Sequence, residues 1–131
     1  MKLFVDASAM VAVIAGEQER GPLTDRLRAA TSLLWSALSC WETVSALQNT
    51  YKLPVELARE RLHDFAADFS LSMVGIGAEE LAAALDAYRF YGKGRHSAGL
   101  NFGDCFAYAC AKTNGAKLLY KGDDFAQTDL A

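Results

Sequence analysis

The chain has 131 residues, 52% apolar and 22% charged, with two prolines and ten glycines. That is enough for one domain over residues 1–131 with a sizeable core, and it excludes disorder, a collagen-like repeat and a disulfide-stapled miniprotein. Thirteen basic against sixteen acidic residues leave a net charge of −3, so bulk coating of nucleic acid is excluded; nucleic-acid chemistry here needs a local basic patch or a metal ion. The apolar run at 3–16 is broken by Asp6, is too short to span a bilayer and is followed by no cleavage pattern. A cytoplasmic protein that makes no use of a membrane is expected.

Taken in chain order, Lys2–Val5 reads as a short buried strand ending at Asp6. Ser8 is expected to cap a helix over 9–15 that is apolar all round and therefore buried. A polar helix follows over 17–30, with Gly21 and Pro22 in its first turn. Ser32–Trp35 reads as a second strand and 38–51 as a helix closed by Lys52-Leu53-Pro54. Val55–Phe69 is the next helix, with Pro54 at its start. Residues 71–76 alternate in polarity and read as a third strand, followed by a helix at Ala78–Tyr91 and a glycine-rich loop at 92–99. An apolar helix at 103–114, a strand at 117–120 and a turn at 121–124 complete the chain. Strands alternating with helices predict a mainly parallel sheet covered on both faces, a compact three-layer α/β/α sandwich. Cys40, Cys105 and Cys110 are odd in number and set in apolar surroundings, so they read as reduced, buried small hydrophobes.

Most of the acids belong on polar helix faces. Asp6 ends the first strand, Glu42 sits beside Trp41 in what reads as the first turn of its helix, and Asp104 lies between Gly103 and Cys105. Asp123 and Asp124 follow the last strand. Each alone has a plain reading: a turn residue or helix cap for Asp6, a first-turn acid favoured by the helix dipole for Glu42 and Asp104, a solvated turn for Asp123 and Asp124. Topology changes this. In a parallel sheet the carboxyl ends of the strands and the amino ends of the following helices share one edge. Four carboxylates gathered there would repel, raising pKa values or demanding a cation. Oxygen-only donors suit Mg²⁺ or Mn²⁺.

Four stretches in order carry a resemblance: VDASAM at 5–10, the glutamate of SCWETVSAL, NFGDCFAYA at 101–109, and LLYKGDDFAQTDL at 118–130. They resemble the PIN-domain ribonucleases and, more narrowly, the VapC-type toxins of bacterial toxin–antitoxin pairs; YGKGRHSAGLN at 91–101 resembles one subgroup of these. The resemblance implies a PIN-like fold and a Mg²⁺-dependent endoribonuclease that hydrolyses RNA with metal-activated water. It also implies a cognate VapB-like antitoxin and a homodimer. Position by position, Asp6 and Asp104 match the main metal ligands, Glu42 the second acid, and Ser8 a small hydroxyl residue that arranges the site. The family's fourth acid often stands in a T-x-D turn before a D-F pair. Here Tyr120-Lys121-Gly122 fills that stretch, leaving Asp123 or Asp124 to serve. Asp124, which aligns with the D-F aspartate, is preferred.

Arg89, Lys93, Arg95 and His96 form the densest basic stretch, interleaved with Tyr88, Phe90 and Tyr91, and it directly precedes Asp104. Basic groups beside rings suit single-stranded RNA, so Lys93, Arg95 and His96 are candidate RNA contacts. The plain alternative is a solvated loop with Tyr88 and Tyr91 packed in the core. Two other functions compete: a receiver-like signalling domain, which would need a phosphate-accepting aspartate near mid-chain after a central strand, and a catalytically inactive, partner-binding module of the same fold.

Overall fold

Side chains alternate across three short, largely buried strands and one exposed edge strand, and the sheet they form has a covered face on each side. The computed structural model describes residues 1–94, 96 and 98–130; Arg95 lies outside the described residues. The strands are β1 (Lys2–Val5), β2 (Ser32–Trp35), β3 (Ser72–Met73) and β4 (Lys117–Leu119), in the order β3-β2-β1-β4 with every pair parallel. Leu3 pairs with Leu33 on one side and Lys117 on the other. Phe4, Leu34 and Leu118 face α5 (Ala78–Tyr91) and α6 (Phe102–Thr113). Leu3, Val5, Leu33, Trp35 and Leu119 face α1 (Ala7–Ala15), α2 (Arg20–Ala29), α3 (Ala37–Tyr51) and α4 (Val55–Phe69). Burying each large apolar side chain stabilises the fold by about 1.5–3 kcal/mol, and the three layers follow from the two-residue period of the strands.

Several boundaries differ from the sequence reading. The helix after β1 begins at Ala7, and its cap is Asp6, not Ser8: the Ser8 amide donates to Asp6 Oδ2 at 3.0 Å. The second helix starts at Arg20, leaving 17–19 outside it. The third strand is only Ser72–Met73. It is an exposed edge pairing with β2 alone, and Gly75 and Gly77 follow it, so the alternation over 71–76 had no second neighbour to extend it. Cys105 and Cys110 are buried, but Cys40 is only half-buried; all three are free thiols, pushed up by burial to about 11.

The strand order locates a crevice. From β1 the chain moves outward to β2 and β3 on one side, whereas β4 lies on the other, so the order reverses between β1 and β4. Ligands of open parallel sheets bind outside the carboxyl ends of the strands at such a point. Asp6 follows β1 there, and Asp123 and Asp124 follow β4. The other central strand, β2, ends at Trp35-Ser36. It carries no acid at its carboxyl end, which the receiver-like reading needs.

Candidate functional site

Asp6 is 6% exposed and held rigidly. Its Oδ2 accepts from the Ser8 amide and, at 2.6 Å, from the Ser8 hydroxyl. The Ser8 oxygen in turn accepts from the Lys121 amide at 3.0 Å, tying the end of β1 to the chain leaving β4. The Asp6 amide donates to Leu119 O at 2.9 Å and extends the same ladder. Asp104 is fixed by a reciprocal capping box: its amide donates to Asn101 Oδ1 at 2.9 Å, and the Asn101 amide donates to Asp104 Oδ2 at 3.1 Å.

Glu42 reaches the site differently from the expectation. The Ser36–Ser39 capping box starts α3 at Ala37, so Glu42 is its sixth residue, beyond the first turn, and the helix end does not explain it. Its carboxylate lies against the backbone of Gly103: a Cβ there would fall 2.0 Å from Glu42 Oε2. Gly103 is thus the gap that lets α3 and α6 bring two acids together.

The electrostatics follow the geometry. Burial pushes the Asp6 carboxyl above its ordinary range, the hydrogen bonds from Ser8 oppose this, and Asp124 adds repulsion. Burial and then repulsion from Asp6 and Asp104 push Glu42 up to about 7. Asp104 rises to about 6, again chiefly through burial, with repulsion from Asp6 and Asp124. Among the described residues no ion pair neutralises any of these acids. Asp6 and Asp104 thus act on Glu42, and Asp124 acts on Asp6 and Asp104, while Asp123 is not among the charges acting on Asp6, Glu42 or Asp104.

Among the described residues, no group of three or more Asp, Glu, His or Cys side chains is placed so that it could hold a metal ion. The donor set suits a hard divalent ion: oxygen only, partly buried, with raised pKa values and no cationic partner. A groove of about 1010 Å³ lies elsewhere, at the amino ends of β2 and β3 between α2 and α4, and contains none of these acids.

Lys93 and His96 lie on the segment that returns from α5 to the start of α6. Leu100 N donates to Tyr91 O at 2.9 Å, and His96 packs edge-on against Tyr91 at 5.3 Å. His96 Nδ1 accepts from the Ala98 amide at 3.0 Å, and both candidate residues are exposed. Among the described residues, no group of this loop is among those acting on Asp6, Glu42 or Asp104. Tyr91 is partly packed on the core, whereas Tyr88 is exposed.

Sequence reasoning missed Gly103 and Asn101 as determinants of the site. Asn101 was legible as the N-x-x-D start of a capping box. Gly103 was not, because its partner lies on another helix. No helix among the described residues is long and apolar enough to cross a membrane.

The PIN domain family pattern matches residues 3–130. The chain is 39% identical over 130 residues to Ribonuclease VapC30 of Mycobacterium tuberculosis, covering 98% of this chain and 96% of that protein. It is 41% identical over 139 residues to VapC ribonuclease R02377 of Rhizobium meliloti, covering 97% and 98%. In fold it is similar to the crystal structure of Mycobacterium tuberculosis VapC20, a toxin that cleaves the sarcin-ricin loop, with a TM-score of 0.77, 16% identity and coverage of 98% and 96%. The chain belongs to the PIN-domain family, among its VapC ribonucleases.

Proposed function

We propose that this single PIN domain is a metal-dependent endoribonuclease, the toxin of a toxin–antitoxin pair, in which Asp6 and Asp104 hold Mg²⁺, with Mn²⁺ able to substitute. The observation that carries the reading is the set of mutually repelling, partly buried carboxylates with no cation among their described neighbours. Such a cost in folding persists when function needs it. A divalent ion bound there supplies Lewis acidity, lowering the pKa of water and offsetting charge on the phosphate.

The chain's own groups do the positioning. Ser8 fixes the orientation of Asp6, and Asn101 that of Asp104, so neither carboxylate must be ordered when substrate arrives. Glu42 and Asp124 orient the attacking water or a second ion, and Asp123 supports the turn. Lys93, Arg95 and His96 hold the RNA strand, while the exposed rings of Trp41 and Phe102, beside Glu42 and Gly103, offer stacking area for unpaired bases. A VapB-like antitoxin inhibits by covering the rim or inserting a basic side chain among the acids, and the toxin acts in the cytoplasm as a homodimer.

The test is cleavage of RNA with Mg²⁺ by the wild type and by Asp6→Asn. The variant should lose activity by about a hundredfold or more and fold at least as well, since a buried charge is removed. Undiminished cleavage would refute the assignment.

A further inference from the structure

Lys121 occupies the stretch where the family often has an acid, and its surroundings give it a different task. Its ammonium donates to Glu17 Oε1 at 2.7 Å and lies 3.9 Å from Glu19 Oε1. Glu17 also accepts from the Tyr51 hydroxyl, so the end of α3 joins the same network. The Glu17 amide donates to Ala12 O at 2.8 Å, so this anchor is itself fixed to the end of α1. The Lys121 charge is not among those acting on Asp6, Glu42 or Asp104; it faces Glu17 and Glu19 instead. The Lys121 backbone meanwhile donates to Ser8 Oγ, one bond from Asp6.

From Lys121 the chain turns at Gly122, whose φ of +90° is the left-handed region that favours glycine. It passes Asp123 and Asp124 and is anchored again at Phe125, which is fully buried and 5.3 Å ring-to-ring from Tyr120. Both ends of the acid-bearing turn are therefore held, one by the core and the other by the Lys121 contacts.

We propose that Tyr51, Glu17 and Lys121 form a positioning clamp that sets the 121–125 turn so that Asp124 faces Asp6 and Asp104. These are positioning residues, not catalytic ones. The clamp's consequence for RNA cleavage rests on the nuclease reading above; its effect on the turn does not.

Lys121→Met and Glu17→Gln, each in the full chain, test it in two ways. In metal-free protein, amide hydrogen exchange at 122–126 should rise about fivefold in both variants, with only a small fall in melting temperature. With Mg²⁺ and RNA, kcat should fall about tenfold while KM stays near the wild-type value, and Lys121→Arg should restore both readouts. Lys112→Met, which breaks the comparable Lys112–Asp129 pair at 2.5 Å, should leave both unchanged. Unchanged exchange in the two clamp variants overturns the proposal, and so does faster exchange with wild-type kcat. Faster exchange in a protein whose wild type cleaves no RNA supports the clamp and refutes the nuclease reading instead.

Discussion

The two edges of the sheet handle charge in opposite ways. At the amino ends of β2 and β3, Arg20, Arg28 and Arg61 line a wide groove together with Asp64 and Asp68, so both signs are present. At the carboxyl edge, Asp6 is buried, Glu42 and Asp104 are half-buried, and all three titrate high chiefly through burial, with no described cation paired to them. Mixed charge at a groove is ordinary surface chemistry. One-signed charge under partial burial destabilises the fold, and the contrast points to the second edge as the place where a ligand supplies what the sequence withholds.

The contrast can be broken most severely through Gly103. A methyl group there would displace the flexible Glu42 carboxylate rather than the backbone, separating the acids of α3 and α6. Gly103→Ala should lower RNA cleavage by about ten- to a hundredfold with little change in melting temperature, and Glu42 should titrate nearer its ordinary value by NMR. Unaltered cleavage would show that the α3–α6 contact is incidental.

A smaller effect sharpens the choice between the paired acids. Asp124 acts on both Asp6 and Asp104, while Asp123 does not act on them. Asp124→Asn should therefore lower kcat by about tenfold, and Asp123→Asn by less than about twofold. The reverse order would move the fourth acid to Asp123.

How much was legible follows from what is local. β1, β2, α4 and α5 read true to the residue because apolar period, the Pro54 boundary and the glycine at 92 are written in adjacent positions. The placement of Asp6 and Asp104 at one edge was also legible, since strand and helix ends share an edge in any parallel sheet. The third strand was overestimated because alternation cannot report the lack of a pairing partner. Glu42's place in α3 was misjudged by the count itself, since residue 42 lies past the first turn whether the helix starts at 38 or, as the Ser36–Ser39 box sets it, at Ala37. The Gly103 gap and the Lys121–Glu17 pair join residues distant in sequence, and no local rule encodes them.

The central claim is that these acids share one space and are tolerated as charges only beside a divalent ion. Glu42 and Asp104 have folded pKa values of about 7 and about 6, against ordinary values of 4.5 and 3.8. Their protonated forms are thus favoured by folding. The stability they contribute is full below about pH 4 and is lost as pH rises through 7, on the order of 1–3 kcal/mol after allowance for solvent screening. The direct measurement is thermal unfolding from pH 5 to 8 of the wild type and Glu42→Gln, each with and without Mg²⁺. Without the ion, the wild type should lose stability with rising pH more steeply than the variant, and Mg²⁺ should abolish that difference by stabilising the wild type at the alkaline end. Superimposable pH profiles for the two proteins, unmoved by Mg²⁺, would contradict the account.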